Sequence, residues 1–495
     1  MSLPILIQTV LTPIVLAPIV YLAGRKLSHH VGWLSFAILL HSTAMMLMVA
    51  GSEYLEVYSW VPRMGWDIGF KLDGLSLPFA LNVAVLSTVI AVYSIPYMEH
   101  RIGDKPEEYG SYYALYLLYA AGMLGAVLAT DLVEFYIFYE LMLIPSYLLI
   151  ARWGYGERER IAFMYFLWTH IGALALLASI VAVYWVTGAT SIEAVKTILQ
   201  NTRIPFQLEV GIATAMLLGF LVKMAVLGLH VWLPHAHAEA PTPISALLSP
   251  AMIGIGGYGV IRIALGFFPQ FFKVYSLPIA IWAFLTMVYG GLMALSQDDV
   301  KRLLAYSSIS QMGYLLFGIS SVNMLGISGS ILHYLSHGLG KGILFMVAGI
   351  LIMQTELRSI SRMGGLASKM PLTAVSALIG FLTLIGLPTT SGFISEWMIF
   401  GGVIRSSLAS GSMEKLLVAV LGLLATMFTA GYGLWTVRRV FFGPTPTHLE
   451  EVKEGSMLAL APIIALAILT FIVGVFPAPI LDRLTQTIML SSNLG

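Results

Sequence analysis

Cysteine is absent from all 495 residues. That excludes disulfides, cysteine-ligated iron–sulfur clusters and a cysteine nucleophile. Charge is scarce as well: Asp, Glu, Lys and Arg make up 10% of the chain, against roughly 25% in soluble proteins. The net charge of +1 points to no nucleic-acid partner. No Walker loop and no serine-hydrolase elbow occur. Gly254-Ile255-Gly256-Gly257-Tyr258-Gly259 lies inside an apolar run with no strand before it, so it reads as a close-packing helix face rather than a nucleotide fingerprint. The first apolar run, residues 3–23, lacks a basic start and reads as a first span rather than a cleavable signal. No cofactor and no metal are expected in this chain, so any redox centre of a parent assembly would sit in other chains.

What fills the chain is hydrophobic: 58% of the residues, in runs of about 20, the length of a helix crossing about 30 Å of hydrocarbon. Lipid satisfies no backbone polar group, so spans must be helices or a closed barrel, and runs this long exclude a barrel of about ten-residue strands. The expected class is an all-α polytopic membrane protein with about fourteen spans. They are read at residues 3–23, 31–50, 73–97, 112–129, 131–151, 161–186, 209–229, 243–265, 275–295, 303–321, 323–353, 371–401, 415–437 and 456–477. The fourth and fifth leave only a tight turn at Thr130-Asp131. The longest loops fall at 51–72 and 187–208. Lys and Arg favour the odd-numbered loops, which places those in the cytoplasm and both termini outside.

Two apolar runs are broken. One runs from Phe220 through Pro234, His235 and His237 to Pro241. The other runs from Phe381 to Trp397 and holds Gly386-Leu387-Pro388. Gly/Pro-interrupted helices at matching positions of two halves point to inverted repeats with an ion site between them. Gly and Pro are also common in membrane helices for packing reasons alone.

Ionisable residues at membrane depth carry the chemistry, because an ionised group at mid-bilayer costs at least about 2.5–3.5 kcal/mol. Glu140 is about nine residues into its span, or roughly 14 Å deep. It is either a functional acid or a protonated carboxyl bonded to a neighbouring helix. Lys223 has no snorkelling route and needs a carboxylate, an unwound carbonyl or water. A desolvated lysine exchanges its proton more readily, although a static salt bridge fits the position too. His333, His337 and Lys341 share one helix face at i, i+4, i+8. They form a ladder that water completes, or, for His333 above all, histidines bonded within a bundle. No HExxH glutamate accompanies them, which weakens a zinc reading. Glu396 follows the second break and is either an exit carrier or a cap on a half-helix. His230, His235, His237 and Glu239 cluster at the first break, where a loop solvates histidine without any metal.

These residues sit in motifs that resemble the antiporter-like subunits of respiratory complex I, the Mrp antiporters and the membrane-bound hydrogenases. The resemblance spans residues 72–435. It rests on Leu72-Asp73-Gly74-Leu75-Ser76, on Tyr139-Glu140-Leu141-Met142-Leu143-Ile144-Pro145, and on Lys223 with Trp232-Leu233-Pro234-His235-Ala236-His237. It continues through Ala240-Pro241-Thr242-Pro243-Ile244-Ser245-Ala246-Leu247-Leu248, Lys301 to Ser310 and Gly386-Leu387-Pro388.

The resemblance implies fourteen core helices in two inverted five-helix repeats, with helices seven and twelve broken at Pro234 and Pro388. It divides the chain into 1–111, repeats at 112–270 and 271–442, and 443–495. It implies that Glu140 pairs with Lys223, that Lys341 is the central carrier with His337 beside it, and that Glu396 is the exit. His230, His237, His333 and Gln311 support this path. A glutamate at 396 resembles the complex I subunit 4 (M) branch, whereas Lys341 resembles the Mrp and hydrogenase branches. Gly254 stands where the eighth helix often carries a lysine, and Gln311 where M subunits often carry a histidine. The function implied is an antiporter-like subunit, moving protons or sodium ions, of a redox-driven complex in the cytoplasmic membrane, partnered by other membrane subunits. A subunit of a multi-chain cation/proton antiporter and a non-pumping spacer are the alternatives.

Overall fold

The structure is a computed structural model and describes residues 4–491 apart from 65 and 203. It is nearly all helix. In chain order come α1 (Ile5–Leu27), α2 (Val31–Val49), the strands β1 (Tyr54–Val61) and β2 (Trp66–Leu72), α3 (Ser76–Ile102), α4 (Pro106–Leu128), α5 (Leu132–Leu141), α6 (Leu143–Trp153), α7 (Arg158–Thr187) and α8 (Ile192–Asn201). There follow α9 (Phe206–Met224), α10 (Trp232–Glu239), α11 (Thr242–Leu247), α12 (Ile253–Gly259), α13 (Pro269–Val274), α14 (Ser276–Leu295) and α15 (Val300–Ser320). The chain closes with α16 (Met324–Thr355), α17 (Pro371–Ile385), α18 (Ser391–Ser410), α19 (Met413–Phe441), α20 (Met457–Val475) and α21 (Ala478–Ser491). Among the described residues, 11 helical stretches are long and apolar enough to cross a membrane, the first of them joining α1 and α2.

The two longest expected loops hold structure. In 51–72, β1 and β2 pair antiparallel, with Tyr54 opposite Leu72 and a register shift between Ser59 and Val61. Aromatic and β-branched side chains (Tyr54, Val57, Tyr58, Trp60, Val61) favour the strand. The hairpin also closes a helix end: the Glu56 carboxylate accepts from the amides of Ile5, Leu6 and Ile7 at 2.5, 3.0 and 3.0 Å. Those are donors the first turn of a helix cannot satisfy itself. Residues 187–208 hold α8.

The central helix is α16, packed against α3, α15, α17, α18 and α20. It is buried from Gly326 to Leu351 on every face, as a helix apolar all round requires. By contrast α7 and α19 leave large apolar side chains outward, among them Trp185 and Met427, where lipid or another membrane chain replaces water.

Two places show one construction used twice. Asp131 caps α5 by accepting from the Val133 amide at 2.8 Å, and bridges to Ser191. Asp299 caps α15 by accepting from Lys301 and Arg302 at 2.9 and 3.0 Å, and bridges to Ser359. The backbone bonds match: Leu132 N to Thr190 O and Ile192 N to Thr130 O in one, Val300 N to Arg358 O and Ile360 N to Asp298 O in the other. A single shift along the chain carries each of these residues onto its counterpart.

Both expected breaks are real. The seventh run is not helical to residue 229; α9 ends at Met224 because Ala225 takes a left-handed φ of 54°. Helix then resumes at Trp232, with Pro234 tolerated in the first turn of α10. α17 ends where Gly386 takes φ 72°, and Pro388 lies in the gap before α18. A third irregularity went unforeseen. Between α11 and α12 the backbone winds as a π-helix, Leu248–Met252. Pro250 lies inside it and lacks the amide that an α-helical bond needs there.

Candidate functional site

The site runs through the middle of the bundle. On α5, Glu140 sets Oε2 3.3 Å from Nδ1 of His170 on α7, and its Oε1 has no hydrogen-bond partner. The His170 ring lies flat on Phe166, 5.4 Å between centroids. The expected Glu140–Lys223 contact is not made. Lys223, 1% exposed, has no hydrogen-bond partner for Nζ and instead stands 4.5 Å from the ring centre of Tyr139. A cation over an aromatic face is a partial substitute for a carboxylate. Tyr139 and Glu140 are neighbours in sequence but point about 100° apart on α5, so Lys223 faces the ring and not the carboxylate.

On α16 the ladder keeps its spacing but its rungs find different neighbours. Nδ1 of His333 lies 3.2 Å from the Ser395 hydroxyl on α18. His337 has both ring nitrogens unpartnered and is fully buried. Lys341, also fully buried, donates to the Leu304 carbonyl at 2.8 Å and to the Ser307 hydroxyl, both on α15. A lysine ammonium carries three protons to donate, and α15 takes two of them. Glu396 is 8% exposed and packs against Gly386 at the break, with Oε1 unpartnered. It makes no bond to the first amides of α18, so it is not the half-helix cap.

The supporting residues divide. His230 is held at the first break: the Gly228 amide donates to its Nδ1 at 3.2 Å, and Nε2 lies 3.1 Å from the Tyr289 hydroxyl. His237 stacks on Phe345 at 4.8 Å, and neither ring nitrogen has a partner. Gln311 donates weakly to the Leu384 carbonyl at 3.4 Å, just before the second break, and its Oε1 is unpartnered. Among the described residues no group of three or more His, Asp or Glu side chains is arranged to hold a metal ion.

Sequence reasoning missed three participants. His170 carries no motif and no neighbouring signal in the sequence; its position against Glu140 depends on how α5 and α7 pack. Lys301 enters the sequence reading only as the start of a motif. It is fully buried, and its ammonium is bonded to the Ala240 carbonyl at the end of α10. Asp73 was read as a motif residue without a task. Its carboxylate takes two bonds from Arg262, at 2.6 and 2.7 Å, beside a cavity of about 200 Å³ that Lys71, Asp131, Glu193 and Tyr258 also line. Asp73 lies ahead of α3, outside the span. Burial raises its pKa, and the Arg262 charge together with the Arg262 and Ser76 hydrogen bonds more than offsets that, leaving it at about 2.

This is the architecture of an antiporter-like membrane subunit: broken helices, a continuous central helix carrying a buried lysine, and ionisable side chains strung between them. The family described as "NADH:quinone oxidoreductase/Mrp antiporter, TM" matches residues 129–429, and the chain belongs to it. Residues 60–109 match the N-terminal family of complex I chain 5. The chain is 31% identical to the F(420)H(2) dehydrogenase subunit M of Methanosarcina mazei, covering 100% of both. It is 32% identical to the NADH-quinone oxidoreductase subunit M of Rhodobacter capsulatus, over 88% of this chain and 84% of that one. Its fold is similar to a chain of respiratory complex I from Thermus thermophilus, with TM-score 0.85, 27% identity and 99% and 100% coverage. It is similar also to a chain of the Mrp complex from Dietzia, with TM-score 0.86, 26% identity, and 97% and 52% coverage.

Proposed function

We propose that this chain moves protons across the cytoplasmic membrane as the pumping subunit of a redox-driven complex, with both termini outside and the redox groups held by partner chains. One observation supports it most: four stations at membrane depth, Glu140–His170, Lys223, His337–Lys341 and Glu396, are each buried or half-buried and each keep an unpartnered atom or an exchangeable ammonium. A spacer gains nothing from such groups, since each costs free energy to bury. The likeness to subunits named F(420)H(2) dehydrogenase and NADH-quinone oxidoreductase subunit M supports the redox coupling. In this reading the chain crosses the membrane fourteen times, and its repeats are 112–270 and 271–442.

The pair Glu140–Lys223 is the switch, and the present arrangement is its separated state, with Glu140 turned to His170 and Lys223 resting on Tyr139. Joining the two charges at about 4 Å would stabilise protonated Lys223 by about 4 kcal/mol at an effective dielectric near 20, or roughly three pKa units. Separation therefore releases a proton toward Lys341, and Glu396 passes it out. The test is Glu140→Gln in the assembled complex. Electron transfer through the partner chains should persist while protons moved per electron fall sharply; unchanged pumping sinks the switch. A second reading, a cation/proton antiporter subunit, has the likeness to the Mrp complex in its favour. Sodium-driven exchange by vesicles holding this chain alone would establish it, and none is expected.

A further inference from the structure

The lateral path from Lys223 to Lys341 has a gap. The resemblance places a lysine at position 254, and the structure shows why none stands there: a Cβ on Gly254 would already overlap the ring of Tyr334. Something else between α11 and α12 has to meet the second repeat. The π-helix Leu248–Met252 does so.

Two side chains from other helices hold that π-helix in place. Asn82 of α3 donates to the Pro250 carbonyl at 2.8 Å, and Tyr334 of α16 donates to the Ala251 carbonyl at 2.9 Å. On its second-repeat side, the Ser249 hydroxyl lies 2.7 Å from the Ser308 hydroxyl of α15, both wholly buried. Ser308 in turn donates to the Leu304 carbonyl at 2.8 Å, the same oxygen that Lys341 Nζ contacts at 2.8 Å. Ser308 Oγ and Lys341 Nζ thus lie around one acceptor, separated by at most twice that distance, a gap that one water closes. On its first-repeat side, the Ser146–Tyr165 hydroxyl pair, 2.7 Å apart, reaches the same π-helix at the Met252 sulfur, 3.5 Å from Tyr165. The shift along the chain that carries Asp131 onto Asp299 also carries Glu140 onto Ser308. The second repeat keeps a hydroxyl where the first keeps its acid.

We propose that Ser249 and Ser308 form the hydroxyl relay that hands protons from the first repeat to Lys341. This inference rests on the pumping reading above. One proton, released by the Lys223 ammonium and carried by water, reaches Ser249 Oγ, which passes its own to Ser308 Oγ. Ser308 passes its own, directly or through one water, to the neutral Lys341 amine. Each serine ends with one hydrogen, the ammonium gains one, and both hydroxyls rotate back before the next transfer. A hydroxyl has no charge to desolvate, so it sits in this buried seam at far lower cost than the missing lysine.

The test uses the whole complex in membrane vesicles, with proton uptake per electron pair as the readout. Ser249→Ala, Ser308→Ala and the double variant are compared with Lys341→Met. Ser308→Thr and Ser308→Val form a second pair that matches in shape and differs in the hydroxyl. The relay requires both alanine variants to fall to the level of Lys341→Met, the double variant to be no worse, and threonine at 308 to pump while valine does not. Electron transfer should persist in all of them. If the alanine and valine variants pump at native stoichiometry while Lys341→Met fails, the relay is wrong and the pumping reading stands. If Lys341→Met also pumps normally, the pumping reading fails first and the relay falls with it.

Discussion

The two halves of this molecule solve the same problem with opposite charges. In the first, the helix after the capping Asp131 carries an acid, Glu140, and the broken helix carries a base, Lys223. In the second, the helix after the capping Asp299 carries hydroxyls, Ser307 and Ser308, and the broken helix carries an acid, Glu396. The second base, Lys341, has moved to the unbroken central helix, where α15 satisfies two of its protons. The first base is satisfied by no hydrogen bond at all. In the pumping cycle proposed above, that difference gives the two lysines different roles. A lysine facing only an aromatic ring and a nearby carboxylate responds when the carboxylate moves. A lysine anchored to a carbonyl and a hydroxyl holds its place and waits for a proton.

The comparison breaks most completely if the anchored base can be removed. Lys341→Met should reduce proton translocation by this subunit to background while the complex still assembles, because methionine fills much the same space without a charge. Lys223→Met should do the same. Were Lys341→Met silent and Lys223→Met disabling, the second half would be scaffolding, and the asymmetry would mean something other than a relay.

The buried ion pair that braces the first half gives the next largest effect, on stability rather than transport. Asp73→Asn leaves Arg262 without its counter-charge and should cost about 3–5 kcal/mol, the range for breaking a buried pair from one side. Thermal unfolding of the purified complex measures it. The pH dependence has a definite sign. The folded carboxyl sits at about 2, below its ordinary 3.8, so its contribution is complete above about pH 5 and is lost as pH falls from about 4 through 2. Stability from this pair should therefore be flat between pH 5 and 8. A slope in that interval that vanished in Asp73→Asn would contradict the assignment.

How far the sequence reached follows from which forces act along the chain and which act between helices. Apolar run length and Pro or Gly breaks are local, so nearly every span, both broken helices and the face shared by His333, His337 and Lys341 were readable. Partners are not local. Nothing near Glu140 in sequence announces His170, and nothing near Lys301 announces the Ala240 carbonyl. The hairpin at 54–72 has strand-forming residues, but its use, closing the start of α1 through Glu56, appears only in three dimensions. The π-helix could have been suspected from Pro250 inside an apolar run. The expectation that Glu140 would touch Lys223 came from resemblance, and the structure instead has the acid turned to a histidine.

His170 is accordingly the sharper probe of the first half. His170→Ala removes a neutral or charge-assisted bond of about 1–3 kcal/mol from Glu140. If the separated state is part of the cycle, the acid should then favour Lys223, and pumping should slow severalfold without being abolished. Single-turnover proton release would show the delay, and an unchanged rate would mean that His170 is only a packing partner.

The smallest effect examines the symmetry itself. Asp131 and Asp299 cap corresponding helices with the same kind of side-chain bond, so Asp131→Ala and Asp299→Ala should each destabilise by about 1 kcal/mol, as lost caps generally do. The two losses need not have the same consequence. Asp299 accepts from two amides and also pairs with Arg358 at 2.7 Å, whereas Asp131 accepts from one. Matched denaturation series on the two variants should therefore place Asp299→Ala slightly below Asp131→Ala in stability. Its larger cost should also reach Lys341, because the helix it starts is the one whose Leu304 carbonyl and Ser307 hydroxyl hold that ammonium. Equal losses with no change in pumping would show that the caps are interchangeable and that the asymmetry between the halves begins deeper in the membrane, at Glu140 and Ser308.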